Sequence, residues 1–344
     1  MRILYAIQGT GNGHIARAIE LVPEFWKYGE VDVLVSGHHS ELKLPFPVKY
    51  RMNGYGFYFG TKGGIDLRKT WKLNSILSFF REVSALQVDQ YDLVVSDFEP
   101  VSAWACWLKG KACFGLSHQL AVLRQNGEDY GLPGLINRAV MKWYAPVKDG
   151  VGFNFRAKGS DILSPVIRKK VRDVHTRDKG HYTVYLPSWS DLFLIAVLSE
   201  VRDVDWHVFS KNALAPFSYG NVYVKPVNDE AFVKSLAESR GVLCNAGFET
   251  PSEALFLGKK LCVIPMKFQY EQGCNADILE DLGVLVLRQF SKPEALPILR
   301  EWVLSPGKTC FPFPDNASTA VEKLLSLAEP FMSSKEKASI LLEA

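Results

Sequence analysis

Short apolar segments rich in valine, isoleucine and leucine alternate with helical patterns along almost the whole chain. The strand-like segments lie at 3–8, 31–36, 48–52, 93–97, 112–117 and 151–155, and again at 182–186, 207–210, 222–225, 242–244, 261–265 and 285–287. Strands that alternate with helices pair in parallel and are covered on both faces. The pattern therefore predicts an α/β fold with two doubly wound, Rossmann-like domains that bind ligands at the carboxyl ends of their strands.

The basic segment Arg168–Arg177 separates the two series of strands and has little periodicity. We predict an N-terminal domain over 1–165, a linker over 166–180 and a C-terminal domain over 181–315, which suits a chain of 344 residues. The last helical pattern, within 316–344, is a candidate to pack back on the N-terminal domain.

Composition narrows the class of protein. The net charge is only +3, and no aromatic residues are interleaved in the basic segment, so we expect no nucleic-acid partner. The six cysteines form no CxxC pair and are typical of small buried side chains in a reducing compartment. No apolar run approaches the roughly 18 residues of a membrane span, and the N terminus is a strand rather than a signal peptide. These features predict a cytoplasmic protein.

Two segments leave the question of membrane contact open. Residues 71–81 and 132–144 each mix apolar, aromatic and basic residues. Such a stripe is either the core face of an ordinary helix or a surface that lies on the inner face of an anionic membrane. The second interpretation predicts a peripheral membrane protein.

The first glycine-rich turn is Gln8-Gly-Thr-Gly-Asn-Gly-His14, between a strand and a helix. Its G-x-G-x-G spacing, and the absence of an acidic residue after the second strand, argue against a dinucleotide site. His14 follows this turn at the start of the helix. A helix N terminus disfavours an imidazolium, so His14 is a candidate proton acceptor, although a packing histidine fits the same position.

A second turn, NAGFETPSE, occupies residues 245–253. Thr250 as N-cap, with Glu253 three residues later, predicts a capping box. The alternative is an anion site at Gly247 and the hydroxyls of the helix start, with Glu253 on a ribose diol. Downstream, Glu271, Gln272 and Asn275 cluster at the next helix start, and the last two share a face. Acid and amide side chains of this kind suit the hydroxyls of a sugar.

The loop Pro187-Ser-Trp-Ser190 follows the first strand of the second series. Ser188 is a candidate donor to a diphosphate, whereas Ser190 fits a helix N-cap. Asp203-Val-Asp205 has the D-x-D form of a metal site but precedes a strand as an ordinary loop, so we expect no metal site.

The stretch N-A-G-F-E-T-P-S-E, followed by E-Q-G-C-N-A, resembles the donor half of GT-B glycosyltransferases. The pattern is most similar to the lipid-linked N-acetylglucosaminyltransferases and the UDP-glucuronosyl- and glucosyltransferases. G-T-G-N-G-H, with S-D-F-E-P and S-H-Q further on, resembles a less characterised branch of that superfamily. The resemblance covers both halves of the chain and implies two domains that face each other across a cleft.

The resemblance also implies an activity. A hexosyl group would pass from a nucleoside diphosphate sugar, UDP-linked in most relatives of this pattern, to an acceptor hydroxyl on a membrane lipid or a glycan. The transfer would be inverting and metal-independent, and would need no cofactor because the nucleotide sugar is a substrate.

The resemblance assigns donor contacts residue by residue. Glu253 would bind the ribose diol, and Glu271 and Gln272 the sugar hydroxyls, with Asn275 in support. The positions near the diphosphate would be Asn245, Gly247, Glu249 and Thr250. Asn245 stands where relatives carry histidine or arginine, and Glu249 is acidic where plant relatives have asparagine.

On the acceptor side, the resemblance makes His14 the general base. Asp97 ends a strand and is a candidate to orient His14, as a carboxylate orients the base of a triad. Alternatively, Asp97 or Glu99 is itself the base, or the segment is only a turn before Pro100. The sequence also offers Gly11, Gly13 and His118 as acceptor-side positions.

Two other functions fit the same sequence. A nucleotide-sugar 2-epimerase shares the fold but would need further acid and base residues around the sugar. A nucleotide-sugar-binding protein without catalysis would explain the departures at Asn245 and Glu249. The oligomeric state does not follow from the sequence.

Overall fold

The computed structural model describes residues 1–37, 42–56, 60, 63–64, 67–124, 131–307 and 310–332. They form two compact units. The first unit comprises the described residues of 1–58, 67–166 and 314–344, and the second those of 59–66 and 167–313. Each unit contains one sheet, and none of the helices in these ranges is long and apolar enough to cross a membrane.

The sheet of the first unit has seven described strands, all parallel. They are β1 (Arg2–Gln8), β2 (Glu30–Ser36), β3 (Tyr50–Met52), β4 (Leu93–Asp97), β5 (Phe114–Ser117), β6 (Asp149–Phe153) and β7 (Ile162–Leu163). Their order across the sheet is β3-β2-β1-β4-β5-β6-β7. The order reverses between β1 and β4, and a doubly wound sheet binds its ligands at the carboxyl ends of the strands beside such a switch point.

Helices on both faces cover this sheet. They are α1 (Asn12–Phe25), α2 (Leu67–Leu73), α3 (Ile76–Ala85), α4 (Pro100–Leu108), α5 (His118–Arg124) and α6 (Gly131–Tyr144). The strands form the core because their apolar runs are buried on both sides; Ile3 to Ile7 of β1, for example, are fully buried. The mixed segment 71–81 falls on two helices, the end of α2 and the start of α3, and Ser75 caps the second by accepting a hydrogen bond from the Ser78 N–H.

The second unit repeats the architecture. Its described strands are β8 (Tyr182–Tyr185), β9 (Trp206–Ser210), β10 (Phe217–Tyr219), β11 (Val222–Pro226), β12 (Gly241–Asn245), β13 (Lys260–Ile264) and β14 (Leu285–Val286). The order is β10-β11-β9-β8-β12-β13-β14, and the antiparallel pair is β10 with β11. The helices are α7 (Lys169–Arg172), α8 (Asp191–Leu198), α9 (Asp229–Glu238), α10 (Glu249–Phe256), α11 (Tyr270–Asp281) and α12 (Lys292–Leu304). The order reverses between β8 and β12.

The C-terminal helix α13 (Ala317–Ala328) belongs to the first unit. It packs against α1, β5 and β6 through a buried apolar face that includes Val321 and Leu324.

The structure differs from the predicted domain boundaries in two places. The basic segment predicted as a linker lies in the second unit from Ile167 onward, where Arg168 is buried and α7 forms. The second unit also includes a short piece of the N-terminal half. There the Gly63 N–H donates to the Ser188 carbonyl, and the Lys267 N–H donates to the Gly63 carbonyl.

Gly63 has to be a glycine at this contact. Its φ of +81° is a backbone conformation that other residues rarely adopt, and a Cβ here would lie 2.3 Å from the Trp189 ring.

Candidate active site

The glycine-rich turn brings α1 to the switch point of the first sheet. A Cβ on Gly9 would lie 2.8 Å from Val35 Cγ1 and 3.0 Å from the Ser36 carbonyl oxygen, so this turn needs glycine to pass close to β2. Gly11 is the N-cap of α1, and a Cβ there would meet none of the described atoms within 4 Å. Gly13 and His14 then form the first turn of the helix.

His14 and Asp97 form a hydrogen-bonded pair at this point. The distance between His14 Nδ1 and Asp97 Oδ1 is 2.8 Å. Asp97, at the carboxyl end of β4, is fully buried, whereas the His14 side chain is partly accessible. The structure thus brings together the two residues that the sequence predicted as base and orienting carboxylate.

Arg17, which the sequence analysis missed, holds the other side of the carboxylate. Its Nε donates to Asp97 Oδ2 at 3.0 Å and its Nη2 to Asp97 Oδ1 at 2.8 Å, while Arg17 itself is buried. Burial acts to raise the pKa of Asp97, but the charge of Arg17, together with His14, outweighs it and lowers the pKa below its usual value. Asp97 is therefore a carboxylate.

The ionised carboxylate decides which nitrogen of His14 carries the proton. Asp97 has no proton to donate, so Nδ1 of His14 must be the donor in the 2.8 Å contact. Arg17 Nη2 also lies 3.1 Å from Nδ1, but a guanidinium cannot donate to a protonated nitrogen. This second contact is therefore only a close approach. In the neutral imidazole the lone pair then lies on Nε2, which is the arrangement of a general base.

Aromatic rings extend the site from His14 toward α6. The Phe98 ring stacks on His14 with centroids 6.5 Å apart, and the Tyr144 ring lies 4.8 Å from Phe98. The Tyr144 hydroxyl donates to the Tyr55 carbonyl and accepts from the Gln8 side-chain amide. Phe98 has φ of +55°, a strained conformation for a residue with a side chain, and such residues concentrate at functional sites.

Glu99 has a structural role that excludes it as the base. It is the N-cap of α4, and its carboxylate accepts from the N–H groups of Val101 and Ser102 at 2.7 and 2.6 Å. Burial raises the pKa of this fully buried carboxyl, and the capping hydrogen bonds oppose that effect. The interpretation of Glu99 as a base is therefore wrong, because both of its oxygens are used inside the fold.

His118 is likewise not at an accessible surface. It is almost fully buried, and its Nδ1 lies 2.7 Å from the Phe153 carbonyl oxygen, to which it donates. This contact ties the start of α5 to the end of β6. The prediction that His118 lines an acceptor pocket is wrong for this reason.

In the second unit, α10 begins two residues earlier than the sequence suggested. Its first residue is Glu249 and its N-cap is Phe248, and no side chain among the described residues caps it. Thr250 is therefore inside the helix, and the predicted capping box is wrong. The N terminus of α10 follows directly after β12, beside the second switch point.

Glu253 is buried in an ion pair. Both of its oxygens accept from Arg168, with Nε to Oε1 at 2.5 Å and Nη2 to Oε2 at 2.9 Å, and both side chains are about 5% exposed. Arg168 also contacts Asp229 at 2.6 Å. This contact joins α10 to the segment before α7, and ribose binding by Glu253 stays a prediction.

Several predicted donor-binding side chains hold loops in place. The Ser188 hydroxyl donates to Asn245 Oδ1 at 3.3 Å, and Asn245 Nδ2 donates to the Ile264 carbonyl at 2.9 Å. Gln272 Oε1 accepts from the Met266 N–H at 3.0 Å, and Asn275 Nδ2 donates to the Ala246 carbonyl at 3.1 Å. These side chains are buried at the carboxyl ends of β8, β12 and β13. They hold the loops around the predicted donor site in position and, because they are buried, they contribute little to its surface.

Four of the predicted donor-binding residues are half-buried at this edge, namely Gly247, Glu249, Thr250 and Glu271. Phe268 lies in the same region, 81% exposed and with φ of +63°, and the sequence analysis missed it. Ser190 caps α8 by accepting from the Phe193 N–H, as its position predicted.

The described residues contain no group of three or more histidine, cysteine, aspartate or glutamate side chains arranged to hold a metal ion. Asp203 and Asp205 lie in the loop before β9.

Two doubly wound units of this kind, each with its ligand-binding edge at a switch point, are the GT-B fold of nucleotide-sugar enzymes. Residues 1–294 match the sequence profile of glycosyl transferase family 1. The chain belongs to that family and is a glycosyltransferase. No curated protein sequence matches it significantly.

Solved structures support the fold over the whole chain. The glycotransferase of kitacinnamycin is 13% identical with a TM-score of 0.53, and the match covers 99% of this chain and 98% of that one. SnogD, a glycosyltransferase from Streptomyces nogalater, is 16% identical with a TM-score of 0.52, covering 95% and 99%. The S. aureus MnaA–UDP structure is 11% identical with a TM-score of 0.60, covering 96% and 97%. At these identities the similarity is one of fold.

Proposed function

We propose that this protein is an inverting, metal-independent hexosyltransferase that uses a nucleoside diphosphate sugar, UDP-linked, and transfers the sugar to an acceptor hydroxyl. The hydrogen bond between His14 Nδ1 and the buried Asp97 carboxylate carries this proposal. It leaves Nε2 as the proton acceptor at a switch point where ligands of this fold bind.

The reaction is a single displacement. His14 Nε2 removes the proton of the acceptor hydroxyl as its oxygen attacks the anomeric carbon. The bond from that carbon to the diphosphate oxygen breaks, and the configuration inverts. Asp97 stabilises the imidazolium that forms, and Arg17 keeps Asp97 ionised and in place.

The leaving nucleoside diphosphate gains negative charge that a protein must stabilise. We assign this to the N terminus of α10, where Gly247 and Thr250 are half-buried and a Cβ on Gly247 would meet none of the described atoms within 4 Å. Helix N–H groups supply positive potential without a metal ion, and no cofactor enters the reaction. The S. aureus protein of the same fold was solved with UDP, which supports UDP as the nucleotide of the donor.

The acceptor is proposed to be a lipid-linked or glycan hydroxyl. The aromatic residues Phe98 and Tyr144 beside His14 support a sugar or an apolar chain there, since both pack against rings.

Nucleotide binding and turnover are measured separately to test this function. Wild-type protein is titrated by calorimetry with UDP, TDP and GDP, first without metal and then with magnesium. UDP release from UDP-sugars is then measured with a membrane-lipid extract as acceptor. We expect UDP to bind without magnesium. His14→Gln should bind UDP equally well and lose about 10²–10⁴-fold in turnover, since a general base contributes that much.

His175→Gln is the matched control, because His175 is exposed and belongs to the second unit, whereas β1 and β4 belong to the first; it should keep wild-type turnover. Turnover by His14→Gln within about threefold of the wild type would contradict the assignment of the base. Formation of a new UDP-sugar without free UDP would identify an epimerase. Failure to bind any nucleotide would contradict the proposed use of a nucleoside diphosphate sugar.

A further inference from the structure

Helix α6 has its apolar stripe turned outward. Leu132, Leu135, Ile136, Val140 and Trp143 recur at helical spacing and are all more than half exposed, with Leu135 at 63%. The opposite side carries the contacts with the protein. There the Arg138 guanidinium donates to the Val122 and Leu123 carbonyls, and Tyr144 bonds to Gln8. A helix on the surface of a globular protein normally turns its apolar stripe toward the core. The outward orientation of this stripe therefore indicates that another molecule covers it.

The apolar surface continues onto α3 and the end of α4. Ile76, Leu77 and Phe80 face outward on α3, with Leu77 80% exposed, and Trp107 and Leu108 are half exposed on α4. Edge-to-face ring contacts join the three helices. Phe80 and Trp104 are 6.0 Å apart, Trp104 and Trp107 5.2 Å, and Trp107 and Trp143 6.2 Å. We refer to the exposed side chains of α3, the end of α4 and α6 as the aromatic–basic surface.

Basic residues outnumber acidic ones on this surface. Residues 76–85, 107–111 and 131–144 contain five lysines and arginines and one carboxylate, Glu82. Of the five, Arg138 lies on the opposite side of α6, and Lys109 Nζ is 3.4 Å from Asp89 Oδ2. Glu82 accepts from the backbone N–H groups of Asn53 and Gly54 at 2.9 Å, so its carboxylate is bonded within the protein. Arg81 and Lys142 are exposed beside the apolar residues.

We propose that the aromatic–basic surface docks on an anionic lipid membrane. A partner that takes up exposed leucine, isoleucine and tryptophan side chains must offer an apolar interior, and the rim of lysines and arginines requires negative charge around it. An anionic bilayer supplies both, because apolar side chains enter at the level of the acyl chains while the basic ones reach the headgroups. The helices lie on the membrane and do not span it.

This docking deepens the proposed function, because it places a membrane beside the candidate base. The C-terminal end of α6 reaches the site through Tyr144, whose ring lies against Phe98, which in turn stacks on His14. A lipid-linked acceptor would then arrive at His14 from the surface on which the protein sits. Membrane binding itself is independent of the transfer chemistry and is measured without any donor, so the two proposals fail separately.

Vesicle flotation of the full-length protein tests the docking. The probes are phosphatidylcholine vesicles and vesicles that also contain phosphatidylglycerol. We expect binding to the anionic vesicles, weakened by added salt. Ile136→Glu should lower the partition coefficient at least about tenfold, because it puts a carboxylate where an apolar side chain inserts, and glutamate keeps the helix. Lys142→Glu should lower it roughly fivefold or more on anionic vesicles alone, since each basic residue contributes about 1 kcal/mol.

Leu214→Glu is the matched control. Leu214 is fully exposed in the second unit, outside the aromatic–basic surface, so the same change in charge and hydrophobicity should leave flotation unchanged. Absence of flotation with anionic vesicles, or equal loss in Ile136→Glu and Leu214→Glu, would overturn the proposal. So would sedimentation of the wild type as a dimer that Ile136→Glu dissociates while vesicles remain unbound, which would identify a second copy as the occupant.

Discussion

At the scale of single residues, Arg17 and His14 share one carboxylate. They lie three positions apart on α1, so both reach Asp97 at the end of β4. Arg17 is a positioning residue, because it acts through its contacts with the carboxylate and the base. Its charge lowers the pKa of Asp97 against the effect of burial. The two hydrogen bonds from its guanidinium fix which carboxylate oxygen faces the histidine.

We predict that Arg17→Met moves the acid limb of the kcat/KM profile to higher pH by about one unit. Without the guanidinium, burial raises the pKa of Asp97, so the carboxylate that orients His14 takes up a proton, and is lost as an acceptor, at a higher pH. The measurement is a pH–rate profile of wild type, Arg17→Met and Arg17→Lys. Arg17→Lys keeps the charge and should move the limb less. An unshifted profile with lower stability in Arg17→Met would mean that Arg17 only holds the fold together.

A second residue-scale prediction concerns His207 in the second unit. Its ring stacks on His181 at 4.0 Å, and burial, followed by His181 and Lys225, lowers the pKa of His207 to about 4. The unfolded state binds the proton more readily, so the stabilisation from a neutral His207 is present above about pH 6.5 and is lost as the pH falls toward 4. Because His207 is only half-buried, we expect a loss on the order of 1–2 kcal/mol.

Urea unfolding at pH 7 and pH 5 measures this loss. His207→Leu should unfold with a smaller difference between the two pH values than the wild type, whereas His175→Gln, an exposed control, should not change that difference. A wild-type free energy of unfolding that is equal at both values would contradict the prediction.

The sequence predicted some of these residues and missed others for physical reasons. A histidine after a glycine turn and an aspartate at a strand end point to the same sheet edge, so the His14–Asp97 pair was accessible to sequence reasoning. Arg17 was not, because a buried arginine on an apolar helix face looks like a surface residue until its partner is known. The prediction for His118 was wrong because its hydrogen-bond partner is the Phe153 backbone carbonyl. A backbone partner cannot be recognised from the sequence.

At the scale of elements, the ion pair between Arg168 and Glu253 joins α10 to the segment that leads into α7. Removing one partner of a buried pair leaves the other charge without compensation, which costs far more than the loss of a surface pair.

We predict that Glu253→Gln lowers the free energy of unfolding by roughly 3 kcal/mol. This is the lower end of the range for a broken buried pair, because Asp229 still balances part of the charge of Arg168. Glu280→Gln, which disrupts an exposed pair with Arg288, should cost less than about 1 kcal/mol. Urea unfolding measures both, and UDP titration of folded Glu253→Gln separates the roles. Unchanged stability with a loss of UDP affinity would indicate that Glu253 is a ribose ligand rather than a structural partner.

Elements with strong apolar runs were predicted to within one or two residues; Leu93–Asp97, for example, is the same in sequence and structure. The helix starts were less predictable. T-P-S-E has the form of a capping box, yet α10 starts at Glu249 because the chain already turns at Phe248. The stripe of α6 was visible in the sequence, but periodicity cannot show which side of a helix faces the protein.

At the scale of the whole molecule, the alternation of strands and helices was enough to predict two parallel sheets, because crossovers of that length permit little else. The division of the chain between the units was less accessible. Gly63 and Arg168 belong to the second unit through backbone contacts and an ion pair, respectively, and neither lies in a segment with a periodic pattern.

The position of α13 has a consequence for the order in which the protein is made. Strands β5 and β6 emerge from the ribosome well before the second unit, but the helix that packs against them comes after it. Throughout synthesis of the second unit, the nascent first unit therefore presents an uncovered apolar face. The unit whose synthesis begins first is therefore the last to be completed. While the second unit is being made, we expect a chaperone to bind the uncovered face of the first.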